Sequence, residues 1–305
     1  MEKVTFGKTN LSVSRLGFGG APIGYLKTDQ ERVAKILAFL LDHGVNVIDT
    51  AANYPGSEAA IAQAIGNRRS EFVLISKCGT ALPDVSATPW SADMISTAVD
   101  RSLKNLRTDH LDVMLLHSCD LKTLEKGEAI AALAKARQAG KIRFAGYSGD
   151  NEAAAYAAAH PDIAVLQTSI SIADQINIHK ALPIAQKHNV GVMAKRPIAN
   201  AAWKHADAQQ GLYKNYAQTY HDRLKAMKLN PADLGFAADA WAEIAMRFTL
   251  SQSGVHVAII GTTNPDNAES NLASAKKGPL PADVIAKIEA AFRAADPQGK
   301  WAGQT

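Results

Sequence analysis

The stretch Asn46-Val47-Ile48-Asp49-Thr50-Ala51-Ala52-Asn53-Tyr54 is a short apolar run that ends on a carboxylate, with a tyrosine five residues further on. Val45, Val47 and Ile48 read as the centre of a buried strand that runs out at Asp49. The residues up to Pro55-Gly56 form a loop before an alanine-rich helix. A strand that carries an acid to its own C-terminal tip, followed by a loop tyrosine, points to an active-site rim rather than to packing.

Two later runs repeat the pattern. Phe72 to Ser76 ends in Lys77, and Leu111 to Leu116 ends in His117. Outward from these, strand and helix alternate. Helical spacing covers Asp29–His43, Ser57–Ile65, Ser91–Leu106, Leu124–Ala139, Asn151–Ala159, Ile178–His188, Ala232–Ser251 and Asn264–Ala275. Strands fall at Ile142–Ser148, Ile163–Gln167, Val190–Lys195 and Val255–Ile260. Counted from Gly17, this gives eight strand–helix pairs. Parallel neighbours need a crossover helix, so the expected fold is α/β, a (β/α)₈ TIM barrel. A β-hairpin at Val4–Val13 precedes it, and an extra helix at Pro281–Ala294 follows. Residues 1–305 are expected to form one domain. The 196–230 stretch is expected to be a long loop, too long for a bare connector and so a lid, and Pro297–Thr305 to be loose or folded over an edge. In such a barrel all strand tips share one face, so Asp49, Lys77 and His117 can meet Tyr54 in one pocket.

The composition narrows the function. The chain has 305 residues, 47% hydrophobic, 20% charged, with a net charge of +4. That charge is too mild and too evenly spread for a nucleic-acid or membrane surface. Cys78 and Cys119 are too few for a disulfide framework and lack metal-ligand spacing. No apolar span reaches membrane length, and Met1-Glu2-Lys3-Val4 has no signal-peptide core, so a cytoplasmic setting is expected. Gly17, Gly19 and Gly20 do not fit G-x-G-x-x-G opening a helix, which excludes a Rossmann reading.

The four groups suit proton donation to an oxygen. A tyrosine hydroxyl is a poor acid at neutral pH, and a nearby ammonium favours its phenolate. Asp49 behind Lys77 keeps that ammonium charged, and His117 can orient a carbonyl. The set holds no nucleophile and no metal cage, and a carbonyl carbon would need a hydride from a nicotinamide cofactor.

Gly7-Lys8-Thr9, Asn46 to Ala51 through Tyr54, Ile75-Ser76-Lys77 and Leu115-Leu116-His117 resemble the motifs of the aldo-keto reductase family, over about residues 3–280. The resemblance implies a (β/α)₈ barrel that binds NADP(H) extended and interconverts carbonyls and alcohols. It implies Tyr54 as the acid/base, Lys77 and Asp49 as its tuning pair, and His117 as the orienting group. Ser148 and Gln167 match residues that hold the nicotinamide carboxamide. Gly261, Thr262, Thr263, Asn264, Asn267 and Asn271 match the segment that holds the adenosine phosphate. The sequence departs from the family at three places. Gly149-Asp150-Asn151 stands where an asparagine is usual, Lys195-Arg196-Pro197 where an aromatic stacks on the nicotinamide, and Gly261 and Asn267 where many relatives carry basic residues for the 2′-phosphate. Lys195 and Arg196 are therefore expected at the pyrophosphate or nicotinamide, and NAD(H) use stays open. Tyr25 and Trp90 are expected to line the substrate pocket, while Trp203, Tyr213, Tyr216 and Tyr220 either line it or pack their own loop.

The leading expectation is an oxidoreductase acting on a small carbonyl or alcohol. Rival readings are a cofactor-sensing regulatory subunit with little turnover, and a lyase that uses Lys77 as a Schiff base. Asp49 disfavours the lyase, because it keeps the lysine protonated.

Overall fold

In the computed structural model, which describes residues 1–204 and 213–304, the apolar runs form eight parallel strands closed into a barrel. Two short strands come first, β1 (Lys3–Thr5) and β2 (Ser12–Ser14), paired antiparallel as a hairpin. The wall is built from β3 (Leu16–Gly19), β4 (Val47–Asp49), β5 (Val73–Cys78), β6 (Leu111–His117), β7 (Ile142–Ser148), β8 (Val165–Ser169), β9 (Gly191–Lys195) and β10 (Val257–Ile260). They follow one another around the barrel in chain order, and β10 closes on β3.

Side chains alternate between the two faces of each strand. Val47, Val73, Ile75, Val113, Leu115, Val165, Met193, Val257 and Ile259 point inward and pack with Phe6, Leu11 and Val13 of the hairpin, which plugs the N-terminal end. Their neighbours Ile48, Leu74, Met114, Leu116, Leu166 and Val192 point outward into the layer beneath the helices. Gly17 and Gly19 of β3 make room for Ile259, since a Cβ on either would come within 2.6 or 2.9 Å of its side chain. That close packing accounts for the glycine-rich first strand.

Early in the chain the helices are α1 (Ala21–Tyr25), α2 (Gln30–Asp42), α3 (Ser57–Ile65), α4 (Ala92–Leu106), α5 (Leu121–Glu125) and α6 (Glu128–Gln138). After them come α7 (Asn151–Ala159), α8 (Ile176–Lys180), α9 (Leu182–Lys187), α10 (Tyr213–Met227), α11 (Trp241–Ser251), α12 (Pro265–Lys276) and α13 (Ala282–Ala295). Asp29 and Ser91 cap α2 and α4 by accepting from Arg32 N and Met94 N at 2.8 and 3.2 Å.

Several elements differ from the sequence expectation. The 124–139 helix is two, broken where Gly127 takes φ +74°. The 178–188 helix breaks at Ala181, before Pro183 in the first turn of α9. The 232–251 helix is a 3₁₀ turn at Pro231–Leu234 ended by Gly235 at φ +80°, followed by α11. The 196–230 stretch is not a bare loop, because it contains α10. Ala217, Tyr220, Leu224 and Met227 of α10 are buried in a second core with Phe248, Ile288 and Phe292. The C-terminal tail is fastened across an edge. Trp301 packs edge-on to Phe292 with centroids 4.9 Å apart, and Arg223 donates to Ala302 O at 2.7 Å. Among the described residues, no helix is long and apolar enough to cross a membrane.

Candidate active site

Asp49, Lys77 and His117 share the strand parity of the inward-facing residues, so each emerges at the C-terminal mouth of the barrel. Lys77 Nζ donates to Asp49 Oδ2 at 2.7 Å and to Thr50 O at 2.8 Å. Both side chains are almost wholly out of water, at 1% and 5% exposure. Burial pushes Asp49 up and Lys77 down, each toward its neutral form, and the mutual contact opposes both shifts.

Tyr54 lies in the turn after β4, held by its N–H to Ala51 O at 3.0 Å. Lys77 Nζ is 5.0 Å from its ring centroid, and the His117 ring meets it edge-on at 5.7 Å. The four sequence-predicted groups therefore come together. Burial drives the His117 pKa well below 6.5, helped by the charges of Lys77, Lys195 and Arg196, so the ring is neutral near pH 7. Its Nδ1 is buried and has no hydrogen-bond partner among the described residues.

Ser148 and Gln167, adjacent in register on β7 and β8, extend this group. Ser148 Oγ donates to Gln167 Oε1 at 3.0 Å, and Gln167 Nε2 donates to Asp49 Oδ1 at 3.0 Å. Lys195, the inward residue at the tip of β9, pairs with Asp150 Oδ2 at 2.8 Å. Arg196 donates to Ser169 Oγ at 3.1 Å and to the carbonyl of Gln304 in the tail.

Asp150, which the sequence reading meets only within the Gly149-Asp150-Asn151 departure, is a hub. Its buried carboxylate accepts from Thr168 Oγ1, Ser169 N and Asn177 Nδ2 at 2.9, 2.7 and 2.8 Å, besides Lys195. Burial alone would raise it, but Lys195 and these donors hold it below the usual carboxylate range. A deeper carboxylate, Asp174, is raised to about 6 by burial and by Asp150. It accepts from Tyr220 Oη at 3.0 Å and Gln304 N at 3.1 Å. Finding either network from sequence would require knowing that the β7, β8 and β9 tips adjoin the tail.

The segment after β10 is more open. Gly261 approaches Pro22 and Gly19 O so closely that a Cβ would sit 2.8 and 2.9 Å from them. Thr262 Oγ1 accepts from Asn264 N at 3.0 Å, and Asn264 caps α12 by accepting from Asp266 N at 2.9 Å. Thr263 borders a cleft shared with Asn264, Pro265, Asp29, Glu31, Arg32 and Lys35. Asn267 is exposed and Asn271 buried. Arg32 and Lys35 lie on α2, far from this segment in sequence, and the sequence reading passes them over.

Tyr25 ends α1 rather than lying in a loop, and its ring packs edge-on to Tyr54 at 5.5 Å. Trp90, at φ +69°, lies against Gly79 and the core beneath it. Trp203 stacks on Trp241 of α11, and Tyr220 is fully buried and donates to Asp174 Oδ2, so both pack against neighbouring elements. The side chains of Tyr213 and Tyr216 lie outside the described residues. Cys78 and Cys119 are buried, and burial pushes both thiols up, Cys119 to about 12, which leaves them protonated and inert.

The sequence model of the Aldo/keto reductase family matches residues 15–293. An uncharacterized oxidoreductase of Bacillus subtilis, YqkF, is 27% identical over 95% of this chain and 96% of its own. L-galactose dehydrogenase of Arabidopsis thaliana is 25% identical over 90% of this chain and 88% of its own. Among solved structures, the aldo-keto reductase AKR11C1 of Bacillus halodurans in its holo form superposes with a TM-score of 0.81. It is 26% identical, over 96% of this chain and 97% of that one. The closed barrel, the plugging hairpin and the family match agree: the chain belongs to the aldo/keto reductase family, NAD(P)H-dependent oxidoreductases that interconvert carbonyls and alcohols.

Proposed function

We propose that this protein reduces a small aldehyde or ketone to the alcohol, and runs the reverse, with NADP(H) and with Tyr54 as the acid/base. The observation that carries this reading is the buried Asp49–Lys77 pair set 5.0 Å from the Tyr54 ring, with neutral His117 against the same ring. An ammonium at that distance favours the phenolate and makes the hydroxyl a competent donor to an oxygen that becomes an alkoxide. His117, neutral, orients the substrate carbonyl by hydrogen bonding rather than by giving up a proton of its own. A cofactor, when bound, supplies the hydride to the carbonyl carbon. Tyr25 and Trp90 form the near side of the substrate pocket. Within the 196–230 stretch, α10 is read as the lid, fastened by Tyr220 to Asp174 and by Arg223 to the Ala302 carbonyl.

The residues present suit a nicotinamide dinucleotide. His117 Nδ1 is an orphaned polar atom at the mouth, and Gln167 and Lys195 keep further N–H groups beyond their protein bonds. Ser148, Gln167, Lys195 and Arg196 would hold the nicotinamide and pyrophosphate end. Gly261, Thr262, Thr263, Asn264, Asn267 and Asn271 would hold the adenosine end, where the first turn of α12 leaves N–H groups for a phosphate. Arg32 and Lys35, facing Thr263 and Asn264 across the cleft, supply charge for a 2′-phosphate that Gly261 and Asn267 cannot.

A Schiff-base lyase is disfavoured, because Lys77 Nζ is buried and already engaged by Asp49 Oδ2 and Thr50 O. A cofactor-sensing subunit would use the same pocket, and turnover separates the two. Tyr54→Phe should reduce NADPH-dependent aldehyde reduction by about 10²–10⁴-fold while fluorescence titration still detects cofactor binding. Retention of most of the rate would show that Tyr54 is not the acid. A wild type that binds cofactor but reduces no member of a broad aldehyde and sugar panel would favour the regulatory reading.

A further inference from the structure

Gln167 stands at a junction that holding a cofactor does not by itself require. It is an inward residue of β8, in register with Ser148 on β7 and Met193 on β9, and 3% exposed. Its Oε1 accepts from Ser148 Oγ, and its Nε2 donates to Asp49 Oδ1, both at 3.0 Å. The other Asp49 oxygen takes Lys77 Nζ at 2.7 Å. Chemistry fixes the amide's orientation, since turning it over would set one acceptor against another at Asp49. An unbroken chain therefore runs Ser148–Gln167–Asp49–Lys77 to the Tyr54 ring, crossing four strand tips.

We propose that Gln167 is a positioning residue of the proton relay: by donating to Asp49 it keeps that carboxylate ionised and aimed at Lys77, and so links the nicotinamide end of the site to the acidity of Tyr54. The proposal rests on Tyr54 being the acid. Its physical basis is the weakness of a lone buried ion pair. Desolvation penalises both charges, so a carboxylate with one cation and no further donor can take the proton from that cation and leave both groups neutral. The Gln167 N–H on Oδ1 favours the ionised carboxylate. With it removed, Lys77 shifts toward the amine and no longer favours a phenolate. Because Ser148 anchors the opposite end of the same amide, a ligand that rearranges Ser148 or Gln167 changes the bond to Asp49.

The test needs no cofactor. Tyrosine labelled with ¹³C at Cζ is followed by NMR through a pH titration of the cofactor-free protein, and the Tyr54 signal is assigned by its loss in Tyr54→Phe. Gln167→Met should move the Tyr54 midpoint upward by about one unit, a tenfold loss of phenolate at fixed pH. Ser148→Ala should move it the same way by less, and the alkaline limb of the kcat profile should follow. Gln167→Glu, which keeps the shape and places a second carboxylate by Asp49, should shift the midpoint at least as far and guards against a folding defect in Gln167→Met. If both variants leave the midpoint and the profile unchanged and raise only the NADPH concentration for half-saturation, Gln167 merely holds cofactor and the proposal is wrong. If Tyr54→Phe keeps its turnover, the site reading itself fails, and that result appears without any Gln167 variant.

Discussion

Replacing Lys77 by methionine keeps most of the side-chain volume and removes one charge from the floor of the site. The ammonium lies 5.0 Å from the Tyr54 ring. At an effective dielectric constant near 20, a unit charge at that distance stabilises a developing phenolate by about 3 kcal/mol, or about two orders of magnitude in rate. The variant also strands Asp49, 5% exposed, without its cation. Breaking a buried pair from one side costs about 3–5 kcal/mol of stability, so loss of fold must be separated from loss of chemistry. Asp49→Asn/Lys77→Met does this by removing both charges. It should melt closer to wild type than Lys77→Met yet stay about 10²–10³-fold slow. The assay is NADPH oxidation at 340 nm with an unselective aromatic aldehyde, with circular dichroism and cofactor fluorescence as controls. A folded, cofactor-binding double variant within tenfold of the wild-type rate would refute the electrostatic account of Tyr54.

Two further outcomes test the surroundings. Arg32→Ala/Lys35→Ala should weaken NADPH binding about tenfold, the worth of a hydrogen bond to a charged group, and leave NADH binding unchanged. Equal losses for both cofactors in fluorescence titrations would remove α2 from 2′-phosphate recognition. Asp174, raised from 3.8 to about 6, binds more protons folded than unfolded between those values. Stability should therefore fall as pH rises from about 4 to about 6, by about 3 kcal/mol, and stay lowered above that. Asp174→Asn should flatten this part of a denaturation-versus-pH curve, and an unchanged slope would exclude Asp174 as its source.

The catalytic side of the site is legible in the sequence because it obeys local rules. A period of two sends Val47, Val73, Ile75, Val113 and Leu115 inward, and the same parity carries Asp49, Lys77 and His117 to the mouth. The eight-fold alternation of strand and helix then places those tips on one face. Elements broken by left-handed residues are harder to see. Gly127 and Gly235 end helices at φ +74° and +80°, but runs of alanine around them sustain the helical spacing. In α10 the buried stripe Ala217, Tyr220, Leu224 and Met227 has helical spacing, yet its polar flanks read as a loop. Contacts that depend on closure of the barrel leave no local trace. The Gln167–Asp49 bond spans 118 residues, and the cleft pairing Arg32 and Lys35 with Thr263 joins the first barrel helices to the last.

Two of the departures from the family pattern show why such contacts must be read in three dimensions. In sequence, Gly149-Asp150-Asn151 in place of the usual asparagine and Lys195-Arg196-Pro197 in place of the usual aromatic are separate departures, with Asp150 and Lys195 as charged members. In the barrel they are 2.8 Å apart, and neither tolerates burial alone. A buried aspartate without Lys195 would carry an uncompensated charge, and a buried lysine without Asp150 likewise, each at a cost of about 3–5 kcal/mol. Together they are one buried ion pair. The carboxylate is spent on Lys195 and on the backbone and side chains of Ser169, Thr168 and Asn177, so it serves to hold the rim in shape. The charge of the ammonium reinforces the neutrality of His117.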